Sequence, residues 1–173
     1  ENLLEISHTD HLTGLYNRRY MMDILAKEFL RTARTGSSLS FLIIDLDYFK
    51  EINDKYGHNE GDLVLERAAT VFRDQLRCYD TPVRFGGDEF VAVLPEASLA
   101  DAQVVAERIR KALDEIRFPG KLEDLRITAS LGFAVYPGVG VETMEDLLRE
   151  ADNALYRAKA KGRNFAAGPL EPT

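Results

Sequence analysis

Between two short apolar runs, Thr81-Pro82-Val83 and Val91-Ala92-Val93-Leu94, the chain carries Arg84-Phe85-Gly86-Gly87-Asp88-Glu89-Phe90. Two strand-forming segments joined through Gly-Gly predict an antiparallel β-hairpin with a tight turn. Gly86 and Gly87 are expected to supply positive φ and to leave no side chain between the backbone and an approaching ligand. Asp88 and Glu89 then present carboxylate oxygens at a bare tip. Adjacent acids repel each other unless a cation is shared, so the string constrains chemistry as well as fold.

The surrounding pattern places this hairpin in a sheet. Asn17 is positioned to cap a helix from Arg18 to about Thr35, with Met21, Met22, Ile24, Leu25, Phe29 and Leu30 at helical spacing and Gly36 as its stop. Leu39–Asp45 reads as a buried strand. Helices are expected over Tyr48–Tyr56 and Asn59–Leu76, and over Ser98–Ile116, where Ser98 and Asp101 form a variant capping box. Arg126–Tyr136 reads as a long strand and Thr143–Lys161 as the last main helix, stopped by Gly162. Phe165 is expected in a short final strand. The order α-β-α-α-β-β-α-β-α-β predicts an α/β fold, a mixed central sheet of about five strands flanked by helices.

At 173 residues the chain suits one domain with a full core. The net charge of −7 argues against a nucleic-acid partner, which usually meets a basic stripe. It leaves room for a nucleotide enzyme, where a metal ion and a few placed cations supply positive charge. The single cysteine, Cys78, excludes an internal disulfide and a cysteine zinc site. No apolar run reaches membrane-span length and no signal peptide opens the chain, so a cytoplasmic domain is expected. The full-length protein can still hold membrane or sensory parts upstream.

Strand Phe41-Leu42-Ile43-Ile44 ends in Asp45-Leu46-Asp47. An Asp at a strand end, facing a carboxylate hairpin, suits Mg²⁺, which takes one or two protein carboxylates and completes its shell with phosphates. An isolated Asp-x-Asp more often caps the next helix. Asn53 and Asp62 follow Asp45 at intervals of eight and seventeen residues. An amide and a carboxylate together can read guanine, whose N1–H and N2–H₂ adenine does not offer. Alone, each is more often simply a residue near a helix end, Asp62 favoured there by the helix dipole.

Gly86-Gly87-Asp88-Glu89-Phe90 resembles the signature of GGDEF domains, the diguanylate cyclases. Four further segments resemble that family in the right order: Asp10–Arg19, Asp45–Asp54, Arg77-Cys78-Tyr79-Asp80, and Asp152–Asn164. The resemblance spans residues 8–166, with residues 1–7 as the end of an incoming signalling helix or linker and 167–173 as a tail. It implies a fold related to nucleotidyl cyclases and the polymerase palm. It implies an enzyme that joins two GTP molecules into cyclic di-GMP with loss of pyrophosphate, using Mg²⁺ (or Mn²⁺), as a homodimer under an upstream sensory module.

The resemblance also assigns roles. Asp45, the Leu46 carbonyl, Asp88 and Glu89 hold metal, with Asp88 as proton acceptor. The main chain at Tyr48 and Phe49, with Lys50, lies near the phosphates, and Lys159 and Arg163 bind the terminal ones. Asn53 and Asp62 contact guanine, and His58 lies near the nucleotide. Arg77 and Asp80, with Arg108, form an inhibitory product site. Asp10–Arg19 is structural, setting the first helix. Two other classes stay open: a receptor module that holds GTP or cyclic di-GMP with little turnover, and a cyclase of mixed or adenine product. Intact Asp45, Asp88 and Glu89 speak against the first, and Asp62 against the second.

Overall fold

The sheet is built around β1 (Leu39–Leu46), whose residues are buried on both faces. Leu42, Ile44 and Leu46 point into one core and Leu39, Phe41 and Ile43 into another, as a two-residue period requires. A strand covered on both sides reads as a continuous apolar run. The computed structural model describes residues 7–171, so the incoming helix expected over residues 1–7 falls outside the described residues except at its last position.

The remaining elements follow in the expected order: α1 (Arg18–Thr35), α2 (Phe49–Tyr56), α3 (His58–Asp74), β2 (Thr81–Arg84), β3 (Glu89–Pro95), α4 (Leu99–Asp114), β4 (Ala129–Tyr136), α5 (Met144–Ala160) and β5 (Ala166–Ala167). The strands lie in the order β2-β3-β1-β4-β5. All neighbours are antiparallel except β4 and β5, which are parallel. Helices α2, α3 and α4 cover one face; α1 and α5 cover the other. Each fully buried Leu or Phe in these layers contributes about 2 kcal/mol of transfer free energy.

The caps behave as read. Asn17 accepts from the Tyr20 N–H, Gly36 takes φ 71°, and Ser98 with Asp101 closes a reciprocal capping box. Thr143 and Asp146 form a second one. α5 packs directly on β4 at Gly132, where an added Cβ would lie 2.3 Å from the Ala151 carbonyl oxygen.

Several expectations are corrected. Gly86 and Gly87 are not among the positive-φ glycines. Four residues, 85–88, separate β2 from β3, and a loop of that length has no need of the primed two-residue turn that demands positive φ. β4 begins at Ala129 rather than Arg126, because its partner β1 ends at Leu46, which pairs with Ala129. The final strand is Ala166–Ala167, and Phe165 contributes its carbonyl to the Leu131 N–H from just outside it. No helix among the described residues is long and apolar enough to cross a membrane.

Candidate functional site

The β1–β3 register sets Asp45 opposite Glu89. The Leu46 N–H donates to the Asp88 carbonyl at 3.2 Å, which draws the hairpin tip against the end of the central strand. Arg84 holds the tip from below. It donates to the Gly86 carbonyl at 3.2 Å, to the Gly87 carbonyl at 2.8 Å, and to both oxygens of Asp10 at 3.2 Å. Asp10 also accepts from the backbone and hydroxyl of Thr13. The opening segment, whose Asn17 caps α1, therefore also ties the carboxylate turn.

The tip is short of positive charge. Burial, then the neighbouring Asp45, pushes the Asp88 carboxyl above its ordinary range. Burial pushes Glu89 up as well, reinforced by Asp45, Asp88 and Asp152. Lys159 from α5 offsets both with its positive charge and ion-pairs with Asp45 Oδ2. Asp45 Oδ1 is buried and has no hydrogen-bond partner. An orphaned carboxylate oxygen beside two acids of raised proton affinity fits a divalent cation. Among the described residues no three acidic, His or Cys side chains close into a cage.

A cleft of 210 Å³ opens beside these groups, lined by Asp45, Leu46, Tyr48, Phe49, Lys50, Asp88, Lys159 and Arg163 among others. Its floor is the first turn of α2, whose leading N–H groups have no partner within the helix and suit an anion. The Arg163 guanidinium lies 4.9 Å from the centre of the Tyr48 ring. Tyr48 (φ 58°), Arg163 (φ 66°) and Asn164 (φ 46°) all occupy the left-handed region, a costly conformation for residues with a Cβ. Of the metal and phosphate residues expected from sequence, all but Glu89 line this one opening.

The capping role considered for Asp45 or Asp47 is not observed: Tyr48 is the N-cap of α2 and no side chain caps it. Asp47 is buried and also lines the cleft, but its oxygens are turned to the protein, accepting from Ser130 Oγ and Thr128 Oγ1 at 2.7 Å and from the Asn164 N–H at 3.0 Å. Sequence reasoning passed over this function, because its partners lie more than eighty positions away and carry no local pattern.

Asn53 and Asp62, the residues expected to read guanine, flank Gly61. Asn53 packs against Gly61, where an added Cβ would sit 1.8 Å from Asn53 Oδ1, so the absence of a side chain there leaves room for the amide. Asp62 follows immediately and is exposed, in the second turn of α3. His58 opens α3 and is exposed. None of the three lines the cleft of Asp45; Asn53 shares α2 with Phe49 and Lys50, which do.

Arg77 and Asp80 form a clasp at the opposite end of β3. Arg77 Nη2 donates to Asp80 Oδ1 at 2.9 Å and to the Pro95 carbonyl at 3.1 Å, and its N–H donates to Asp80 Oδ2 at 2.8 Å. Hydrogen bonding to Asp80 raises the already high proton affinity of the guanidinium. Arg108 reaches the Gln75 carbonyl beside them. β3 spans seven residues from Glu89 to Pro95, which separates this cluster from the carboxylate tip by about 20 Å at the usual rise per residue.

A sheet centred on antiparallel strands, with acids at one hairpin tip and at the adjoining strand end, defines an α/β domain of the nucleotidyl-cyclase kind. The sequence matches the family described as "Diguanylate cyclase, GGDEF domain" over residues 7–165, and the chain belongs to that family. It is 44% identical over 171 residues to the response regulator PleD of Caulobacter vibrioides, covering 97% of this chain and 37% of PleD. It is 44% identical over 156 residues to the diguanylate cyclase DosC of Escherichia coli, covering 90% of this chain and 34% of DosC. The chain thus spans roughly a third of the length of these relatives. Among solved structures it resembles diguanylate cyclase SiaD of Pseudomonas aeruginosa, in complex with its activator SiaC (TM-score 0.88, 38% identity, 94% of this chain and 62% of that one). It also resembles the GGDEF domain of DgcB from Caulobacter crescentus in complex with c-di-GMP (TM-score 0.87, 29% identity, 94% and 95%).

Proposed function

We propose that this domain is a diguanylate cyclase that condenses two GTP into cyclic di-GMP and two pyrophosphates. The observation that carries the reading is the pairing of Asp45 with the Asp88-Glu89 tip, with an unsatisfied Asp45 oxygen on one side and Lys159 and Arg163 on the other. In each of two half-reactions a ribose 3′-oxygen bonds to the α-phosphorus of the second nucleotide and the α–β phosphoanhydride breaks. Asp88 accepts the hydroxyl proton, as a carboxylate beside the reacting ribose can. Lys50, Lys159 and Arg163 take the charge of the phosphates, and Asn53 and Asp62 read guanine from the neighbouring side of α2. Asp45, the Leu46 carbonyl, Asp88 and Glu89 would hold Mg²⁺ or Mn²⁺, which lowers the hydroxyl pKa and neutralises phosphoryl charge when bound.

One domain offers one carboxylate tip, and the reaction joins two nucleotides, so the active form in this reading is a homodimer. Its input arrives from a sensory module outside this chain. The Arg77-Asp80-Arg108 cluster is read as a feedback site for the product, since Arg can donate to guanine O6 and N7. Its distance from the carboxylate tip favours control over competition.

The test is incubation with GTP and Mg²⁺ at high protein concentration, with ATP as control and chromatographic detection of cyclic di-GMP. Product from GTP alone is expected. Silence after removal of bound nucleotide and fusion to a dimerising coiled coil would favour the receptor reading.

A further inference from the structure

Asp45 and Asp47 stand two residues apart, but their oxygens are disposed in opposite ways. Asp45 keeps a buried oxygen free of hydrogen bonds. Asp47 has none to spare: Oδ1 accepts from Ser130, and Oδ2 accepts from Thr128 and from the Asn164 N–H. We infer that Asp47 is a positioning residue, which holds the turn after α5 so that Arg163 meets the polyphosphate end of the nucleotide. The inference rests on the nucleotide reading of the cleft given above.

Three observations carry it. A buried carboxylate is expensive and persists where it is fully hydrogen-bonded, yet Asp47 does not serve the helix that follows it. The turn it holds is strained, with Arg163 and Asn164 consecutively left-handed, and such a turn needs an outside anchor. The Asn164 N–H to Asp47 bond is that anchor, and Ser130 and Thr128 aim the carboxylate from β4 and the residue just before it. Arg163, so held, lies over Tyr48, the residue directly after Asp47, and lines the cleft with Lys159. One side chain thereby locks three separate segments at the point where the phosphates would enter.

The test measures GTP turnover for the whole chain in wild type, Asp47→Asn, Arg163→Ala and the double variant, with urea unfolding in parallel. Asp47→Asn is expected to raise KM for GTP about tenfold while kcat stays within about twofold. The double variant is expected to be no worse than Arg163→Ala alone, because both act through one side chain. Fully additive KM penalties, or an unchanged KM in Asp47→Asn, would overturn the positioning role. A wild type that neither binds nor turns over GTP would overturn the nucleotide reading itself, a separate and recognisable result. Should Asp47→Asn fold poorly, Thr128→Val keeps the carboxylate but removes one hydroxyl that aims it. A KM raised about threefold is then expected, and an unchanged KM counts against the proposal.

Discussion

Lys159 Nζ is ion-paired with Asp45 Oδ2 across 114 residues of chain. The same ammonium offsets the proton affinity of Asp88 and Glu89. It therefore serves as the counter-charge of three acids, and in the proposed reaction the same ammonium meets a phosphate. Removing it leaves those acids facing one another. Lys159→Met should push Asp88 and Glu89 further above their ordinary values of 3.8 and 4.5. A carboxyl whose pKa is higher folded than unfolded subtracts stability as pH rises past the unfolded value, and costs nothing below it. Thermal melts should show Lys159→Met well below wild type at pH 8 and close to it at pH 4. Equal deficits at both values would assign Lys159 to packing instead.

Asp88→Asn separates stability from activity. Removing one charge from the crowded tip relieves Glu89 and Asp45, so the variant should melt about 2 °C higher than wild type at pH 8, a modest gain because the site is partly solvated. Product formation should fall to background. Mg²⁺ with GTP should raise the wild-type melting temperature, since a ligand of the native state stabilises it by mass action, and should do so far less for the variant. A variant that melts lower than wild type at pH 8 would mean that Asp88 makes native contacts the tip needs.

What could be read from sequence was what neighbours decide. Asn17, Ser98 and Gly36 act within one helical turn, and their roles were legible from residue type and spacing alone. The apolar run of Leu39–Asp45 likewise announced a buried strand. What escaped is settled by distant partners. Arg84 meets Asp10 across 74 positions, and Asp47 meets Asn164 across 117. Where β4 starts is dictated by where β1 stops. The glycine turn was misjudged for a related reason, since a backbone angle depends on loop length, which the apolar runs bracket only loosely. Family resemblance supplied the site residues that no local pattern could, and most of those assigned to metal and phosphate do converge on one cleft.

Arg77→Ala should weaken feedback and also the fold. Asp80 has a side chain only 1% exposed, and losing its guanidinium leaves a buried carboxylate held by one backbone N–H. The cost should be about 2 kcal/mol, less than for a fully buried pair because Arg77 itself is partly exposed. Arg108→Ala, which loses one contact to a backbone carbonyl, should change stability little and still raise the product concentration needed for half inhibition. Inhibition untouched in both variants would remove the cluster from the regulatory reading.

Gly132→Ala tests how firmly α5 is seated. The new methyl would lie 2.3 Å from backbone atoms of Ala151 and Leu155, and backbone cannot rotate away as a side chain can. Displacing α5 should cost about 3 kcal/mol and should move Lys159 with it. Lower unfolding stability and raised KM for GTP are expected together. Loss of stability with unchanged KM would show that the end of α5 is placed independently of its packing on β4.

The glycines of the tip give the sharpest contrast between fold and function. Neither is held at positive φ, so alanine carries no backbone penalty of that kind at either position. At Gly87 an added Cβ meets nothing within 4 Å, while at Gly86 it comes 3.2 Å from Glu89 Oε2. Both variants should fold, with unfolding free energies within about 0.5 kcal/mol of wild type. Gly86→Ala should slow turnover by shifting Glu89. Gly87→Ala should lose turnover only if a nucleotide comes against the tip backbone, because nothing within the domain itself occupies that space. Paired measurements of stability and cyclic di-GMP formation decide the matter. A stable Gly87→Ala with full activity would mean that the open face of the tip is not where substrate lies, and a strongly destabilised one would return the glycine to a structural role.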